Sequence, residues 1–449
     1  MSSQRIGPIV RVGTVALLIA LGVQNAPAQE QALTAAYNAS GQDMFKRLSG
    51  ASGNIVISPY SIGTAMAMAL SGARGQTETE MASVLKQTLP RAAMDAANAR
   101  ARATLNGYDK SATPPTCPTG MKLDGRLCKG PRAQNGQCVF PARFDGKQCV
   151  ASATTVPSAK LAIANALMLP KPKSMVSAQY VALLKDHYAA EVFRNAQLAD
   201  INGWVKRKTE GKIDKILDQL DPSAEAVLLN AVYFKAAWLA AFDKRDTRDE
   251  SFNLTESNKV QVPTMHRTAY YPVLTAEGYR AIQVAYVVQS LSMVIVVPDK
   301  VDGVGDMAVS LDARAVAKLL ADMQATQPKR VELALPRFKA EYKADLIPPF
   351  KAAGMGLAFS DAADFSGMTG RPISERGLKI DQIVHRAVVE VEEQGTEAAA
   401  ATAIVMVPTA AMPPKEPEYF RVDRPFLFYL VDQKTGAILF QGRISDPRA

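Results

Sequence analysis

The chain is predicted to be an α+β protein (the multi-domain α and β class) with large sheets that are mostly antiparallel or mixed. Two observations lead there. Helix-forming segments crowd the first half and strand-forming segments the second, without the regular strand–helix alternation that a parallel α/β sheet needs. The composition, 48% hydrophobic and 21% charged over 449 residues, is that of a globular protein able to bury a large core.

At the N-terminus, "MSSQRIGPIVRVGTVALLIALGVQNAPAQE" carries two arginines, an apolar stretch from Val12 to Val23 and the small-residue pattern Ala26-Pro27-Ala28. This is the pattern of a secretory signal peptide cleaved after Ala28. The apolar stretch is short for an anchor, and no later apolar run reaches the roughly 20 residues that span a bilayer. Residues 1–28 are therefore expected to be removed, leaving residues 29–449 as a protein secreted to the extracellular space or periplasm. Cleavage takes away Arg5 and Arg11 and no acids, so the formal net charge falls by two, from +9 to +7. That excess is spread along the chain, with no basic run longer than Lys206-Arg207-Lys208, so it reads as solvated surface rather than a nucleic-acid face.

The next clear element is "NIVISPYSIGTAMAMALSGARGQTETEMASVL". Ser58 suits an N-cap, with Pro59 in the first helical position, where its missing N–H costs nothing. Gly63, Ala65, Ala67 and Ala69, with apolar residues on every side, predict a buried helix that neighbours approach closely. Thr77 and Glu80 are spaced as a capping box for the following helix.

All four cysteines, Cys117, Cys128, Cys138 and Cys149, fall in one short repeat, "CPTGMKLDGRLC" and "CVFPARFDGKQC". Each unit holds Asp-Gly-basic at the same offset, and Asp-Gly supplies the positive φ of a tight turn. An even cysteine count at regular spacing in an exported chain points to disulfides. One bridge within each unit is expected, Cys117–Cys128 and Cys138–Cys149, among three possible pairings. A four-cysteine zinc site is the alternative, but its ligand pairs sit closer together than these do. The flanks "SATPPT" and "ASATTVPS" have linker composition, so residues 108–157 read as an insertion into a domain that resumes at "KLAIANALMLPK".

Beyond it, "AEAVLLNAVYFKAAW" (224–238) is an apolar strand carrying one buried amide candidate, Asn230. "YRAIQVAYVVQSLSMVIVVPD" predicts a hairpin and "KRVELALPRFKAEY" a further strand. "RPFLFYLVDQKTGAILFQGRI" predicts a strand pair turning at Lys434-Thr435-Gly436. No catalytic apparatus accompanies these elements. His187, His266 and His385 have no metal-ligand spacing, and nucleophile-elbow, phosphate-loop, zinc-protease and dinucleotide fingerprints are missing from the sequence. His385, in the strand-like "KIDQIVHRAVVEV", reads as a hydrogen-bonded core histidine. The chain is not expected to be an enzyme, and no cofactor or metal is implied.

One segment resists assignment. "EEQGTEAAAATAIVMVP" (392–408) runs from a turn through four alanines into a β-branched stretch ending at proline. Alanine favours helix, Thr402, Ile404, Val405 and Val407 favour strand, and the prolines stop both.

Taken together, "NIVISPYSIGTAMAMALSGARGQTETEM", "INGWVKRKTEGKI", "LLNAVYFKAAW", "EEQGTEAAAAT" and "RVDRPFLFYLVDQKTGAILFQGRISDP" resemble the serpins, the suicide inhibitors of serine proteases. The resemblance covers the mature chain apart from the cysteine insertion. It implies a serpin fold of three β-sheets and eight or nine helices with an exposed reactive-centre loop. In that family a protease attacks the loop and forms an acyl-enzyme. The cut loop then enters the central sheet as a new strand, carrying the protease with it. The resemblance makes Glu393, Gly395, Thr396, Ala398, Ala400 and Thr402 the hinge. Alternate residues of a strand face one way, so small Thr396, Ala398, Ala400 and Thr402 enter together while Glu397 faces opposite. It sets the reactive bond at Thr409–Ala410, whose small residues suit elastase-like or subtilisin-like serine proteases as partners. Ser58, Asn230 and His385 match a polar cluster where the sheet parts, and Trp238 matches an aromatic at the point where insertion begins. A monomer is expected, with an unknown partner of the insertion left open. The alternatives are a non-inhibitory binding or carrier serpin and a cross-class inhibitor of papain-like cysteine proteases.

Overall fold

In the computed structural model, residues 25–108, 121–124, 127–131, 143–144, 147–152, 159–171, 176–372, 374, 378–396 and 416–449 are described. They form four sheets of six, four, six and four strands. Ten α-helical segments accompany them, of which Ile347–Ala352 and Ser366–Thr369 are short turns and eight are longer. Three sheets build the body and the fourth belongs to the insertion, as the α+β reading requires.

The first six-stranded sheet forms the floor of the core. Phe426–Asp432 and Ala437–Ile444 are its antiparallel centre, turning at Gly436, whose φ of +72° suits glycine. The predicted hairpin is present as Tyr279–Ala285 against Leu291–Pro298. Above it lies the helix Pro59–Gly72, with every residue buried. It packs between the helix Ala26–Leu48 and strands of both six-stranded sheets. A Cβ at Gly63 would stand 2.3 Å from the ring of Tyr37, so the small residue is what lets the two helices meet.

The second six-stranded sheet is the central one. Its order is Phe338–Asp345, Ile380–Glu392, Gly395–Thr396, Ala226–Ala237, Ala159–Leu169 and Glu191–Arg194. One face rests on the main core. The other is covered by the helix Leu198–Lys208 and the segment after it, where Ile201, Trp204, Val205, Ile213, Ile216 and Leu217 pack on the sheet. A four-stranded sheet at one end has the order Glu418–Arg421, Lys329–Pro336, Lys259–Tyr271 and Arg248–Asn253.

Two expectations need correction. "KRVELALPRFKAEY" is not one strand: Lys329–Pro336 lies in the four-stranded sheet and Phe338–Asp345 in the central one. The chain changes sheets at Arg337, whose N–H donates to the carbonyl of Pro263 at 2.9 Å. Nor do Thr77 and Glu80 form a capping box, because their helix starts at Gly75, with Arg74 as an N-cap lacking a side-chain bond. The Thr77 hydroxyl oxygen instead accepts from the Asp364 N–H at 2.9 Å. The Glu80 carboxylate accepts from the N–H groups of Gly356 and Leu357 at 3.0 and 2.9 Å.

The two ends of the expected insertion lie close together, since the Ala159 N–H donates to the Tyr108 carbonyl at 3.2 Å. Within it, Lys122–Asp124, Leu127–Gly130, Cys149–Ser152 and Arg143–Phe144 make a separate antiparallel sheet. At the N-terminus, the helix Ala26–Leu48 runs through the expected cleavage point and is capped by Asn25, whose side chain accepts from Ala28 N–H at 3.1 Å. Cleavage after Ala28 would remove that first turn and leave Glu30, held by Arg100 at 2.9 Å. Residues 1–24 lie outside the described part.

Candidate functional site

Two long strands of the central sheet run parallel and define the site. Ile380–Glu392 pairs with Ala226–Ala237 from Ile380↔Ala226 to Val388↔Tyr233, with His385 opposite Asn230 and a bulge near Ile380. Above Val388 they part, and a two-residue strand fills the opening. Thr396 pairs with Val391 on one side and Ala236 on the other, and Gly395 with Glu392 and Ala237. Gly395 and Thr396 of the expected hinge are thus paired within the sheet, and Thr396, expected to start outside, has no exposed surface. The flanking strands keep the same residue offset beside this stub as in the closed part below it.

Local contacts hold these residues in place. The Glu393-Gln394 turn is gripped from the neighbouring strand, because Trp238 N–H donates to Gln394 O at 3.0 Å and Phe242 N–H to Glu393 O at 2.8 Å. The Trp238 indole N–H reaches Glu392 O at 3.0 Å. Gly395 has φ +145°, and a Cβ there would stand 2.1 Å from the Ala236 carbonyl oxygen, so no other residue fits. The Thr396 hydroxyl pairs with the Tyr286 hydroxyl at 2.7 Å. Tyr286 stacks on Trp238 with centroids 4.4 Å apart, and burial pushes its phenol well above the ordinary tyrosine range. Glu393 is buried, accepting from Thr247 Oγ1 at 2.9 Å with Arg337 3.8 Å away.

Lower down, the strands are fastened by polar side chains. Ser58 caps the buried helix, its hydroxyl oxygen accepting from Ser61 N–H at 3.1 Å, while its own N–H donates to His385 Nε2 at 3.3 Å. That bond leaves the proton of a neutral imidazole on Nδ1, which faces Asn230 Oδ1. The amide of Asn230 donates to Ser61 Oγ at 2.6 Å and to Asn165 Oδ1 at 2.5 Å. His385 is fully buried, and desolvation pulls its pKa from 6.5 to about 3, which fits a core histidine and not a base at neutral pH.

The structure thus brings Ser58, Asn230 and His385 into one cluster, and Trp238, Glu393, Gly395 and Thr396 into another. Ala398, Ala400, Thr402, Thr409 and Ala410 lie outside the described residues, as do Cys117 and Cys138. Cys128 falls in the strand Leu127–Gly130. Cys149 is buried and disulfide-bonded. Among the described residues no group of three or more His, Cys, Asp and Glu could hold a metal, and no helix is long and apolar enough to cross a membrane.

Three participants were not foreseen. Asn165, a lone amide in the apolar run Leu161–Leu169, sits directly opposite Asn230, and that lone polarity was its available signal. Ser61 and Tyr286 carry no comparable mark in the sequence. The insertion also gains a relation that no motif announces. Ala159, two residues beyond the expected insertion, pairs with Ala236, which pairs with Thr396 of the expected hinge, so the two share one row of the central sheet.

Comparison with known proteins agrees with this geometry. A family model described as "Serpin (serine protease inhibitor)" matches residues 35–447. An uncharacterized serpin-like protein of Thermococcus kodakarensis is 33% identical over 432 residues, covering 94% of this chain and 87% of the relative. Leukocyte elastase inhibitor of Sus scrofa is 32% identical over 437 residues, covering 92% and 99%. Among solved structures, human thyroxine-binding globulin superposes with a TM-score of 0.73 at 25% identity, covering 94% of this chain and all of that one. The thermophilic serpin tengpin in its native state shares the fold at 24% identity and a TM-score of 0.70, covering 92% and 94%. A chain matched over nearly its whole length, with a short strand between two parallel strands of its central sheet, belongs to the serpin family.

Proposed function

We propose that the protein is a secreted suicide inhibitor of elastase-like or subtilisin-like serine proteases, with Thr409–Ala410 as the bond attacked. The single observation that carries the reading is the stub. It lies antiparallel to both neighbours, and those neighbours keep one offset with and without a strand between them. The gap can then open by lateral separation of one strand spacing, about 4.8 Å, without sliding or re-registering any pair.

Continuing the stub's register carries the loop down the gap. Thr396, Ala398, Ala400 and Thr402 face the main core, where Val391 and Ala236 already point, and Glu397 faces the covering helix. The small size of these residues supports the reading, since a bulky one would cost about 1–3 kcal/mol in a packed core. On that register Thr402 arrives in the row of Asn230 and His385, where its hydroxyl replaces the partners that separation takes from both. The protease acylated at Thr409 travels with the strand, and small side chains on either side of the bond suit a shallow apolar specificity pocket.

Export, cleavage after Ala28 and the pairings Cys117–Cys128 and Cys138–Cys149 belong to the same proposal, with the insertion as a stapled module on the body. Incubation with an elastase-like and a subtilisin-like protease tests it. A complex that survives denaturing gels is expected, with a released C-terminal peptide beginning at Ala410 by mass spectrometry. Loop cleavage with no trapped protease in either case removes the inhibitory reading.

A further inference from the structure

Two large aromatic side chains stand in solvent on the sheet that receives the chain after the reactive loop. Tyr270 is 72% exposed and Tyr419 57%. Tyr270 sits opposite Arg330 on the neighbouring strand, and Glu332, two residues along, sits opposite Tyr419. All four share one face, and Arg421 follows Tyr419 on it, since side chains alternate along a strand. The two tyrosine backbones are separated by two strand spacings, about 10 Å, and one two-residue step, about 7 Å. A single protein surface can cover both.

Beside Tyr419 opens a surface cavity of about 320 Å³ whose lining includes Arg280, Arg421, Arg424, Pro298 and Phe420. Two of its cations are engaged locally. Arg280 lies 5.0 Å over the ring of Phe420 and bonds Glu418. Arg424 bonds Asp423 at 2.8 Å and donates to the Asp299 carbonyl at 2.7 Å. Arg421 is exposed, and no hydrogen bond or ion pair ties its guanidinium to another described residue. Its guanidinium is open to an outside anion, and a carboxylate is the planar partner it matches in two hydrogen bonds.

Position selects the occupant. The described chain resumes at Glu416, two residues before this sheet's first strand. From Ala410 to Glu416 an extended chain spans at most about 21 Å. A protease domain of roughly 230 residues has a radius of gyration of about 17 Å, so one seated on the bond overhangs the sheet. Tyrosine and arginine are the side chains most enriched where interfaces draw their affinity.

We infer that this face is an exosite for the attacking protease: Tyr270 and Tyr419 pack against its surface, and Arg421 takes one of its carboxylate side chains at the mouth of the cavity. This rests on the inhibitor reading above, but the rate of attack on the loop reports on it whether or not the protease is trapped. The test uses the full chain, with Arg421→Glu and the double variant Tyr270→Ala/Tyr419→Ala. The second-order loss of intact protein is followed at about 0.05 M and about 0.5 M salt with whichever of the two proteases attacks the parent faster. Arg421→Glu should slow attack about tenfold at low salt and less at high salt, and Arg421→Lys, which keeps the charge but not the paired hydrogen bonds, should fall between that variant and the parent. The tyrosine pair should slow attack about tenfold at both salts. In each variant the unfolding temperature and the ratio of trapped to released protease should match the parent. Rates within twofold of the parent for both variants overturn the exosite. If the parent is cut but never traps, the inhibitor reading fails and the same rates still decide this one.

Discussion

The gap between Ala226–Ala237 and Ile380–Glu392 is occupied at its top and shut in its middle, and the two places are built from different materials. The top is aromatic and filled: Trp238 and Tyr286 stack, and Gly395 and Thr396 hold the space of a strand. The middle is polar and empty of any third strand, with Ser58, Ser61, Asn165, Asn230 and His385 satisfying one another across it. On the proposed mechanism, insertion would start from pairs already made and need not nucleate a strand. What it must still do is exchange hydrogen-bond partners in the middle, where a buried polar group left alone costs about 1–3 kcal/mol. On that proposal the top would set where the loop enters and the middle how readily it proceeds.

Breaking the top should have the largest effect. Thr396 is fully buried beside Tyr286, so Thr396→Arg must expel the stub or bury a charge without a partner. Gels should show loop cleavage with the covalent complex lost; an unchanged yield of complex would sink the hinge reading. Gly395→Ala acts on the same spot through the backbone and should shift the fluorescence of Trp238, one of two tryptophans in the chain.

Damage to the middle should be smaller and opposite in sign, because it loosens the closed state. Asn230→Ala strands His385 Nδ1, Ser61 and Asn165 together. It should lower the unfolding midpoint of the native protein and speed its spontaneous conversion to a heat-resistant, loop-inserted form. Thr402→Val sharpens the contrast by leaving native stability alone and reducing the fraction of protease trapped. Equal trapping by this variant would show that Thr402 does not take over the partners of Asn230 and His385.

Acid tests the same cluster without mutation. His385 has a folded pKa of about 3 and an ordinary value of 6.5, so between these limits the unfolded chain binds a proton that the folded one does not. Its contribution is complete above about pH 6.5 and falls as the pH drops towards 3, by up to about 1.4 kcal/mol per unit. Denaturant unfolding at pH 7 and pH 5 should show this loss in the parent. His385→Gln should remove that part of the slope.

Much of this contrast was legible in the sequence, and the part that was not has a physical reason. Ser58-Pro59 and the Lys434-Thr435-Gly436 turn are local signals, fixed by cap and turn chemistry within a few residues. Asn165 and Tyr286 matter only because strand register and sheet stacking bring them to Asn230 and Thr396, and neither is encoded locally. Thr77 and Glu80 show the reverse failure. Their spacing satisfies a capping box, but backbone donors from Gly356, Leu357 and Asp364 claim their oxygens. Arg337 divides one strand-like run between two sheets for the same reason, since the break is decided by which neighbour each half pairs with.

The smallest expected effect lies on the covering segment, and it separates the middle from a rival barrier. Residues 209–220 straddle the gap. Glu210 pairs with Lys160 on one side, while Lys212 reaches Glu390 and Asp218 reaches Lys343 on the other. The proposed insertion would have to lift this strap, and its ion pairs are partly exposed, so each contributes little and is screened by salt. The apolar contacts of Ile213, Ile216 and Leu217 beneath it are not weakened by salt. Raising the salt from about 0.1 M to about 1 M should speed conversion of the native protein to the loop-inserted form no more than a few-fold. The double variant Lys212→Ala/Lys343→Ala should reproduce part of that increase and weaken its salt dependence, with the Glu210–Lys160 pair left in place. An acceleration beyond about tenfold, matching or exceeding that of Asn230→Ala, would mean that the strap and not the polar cluster limits opening, and the division of labour between top and middle would have to be redrawn.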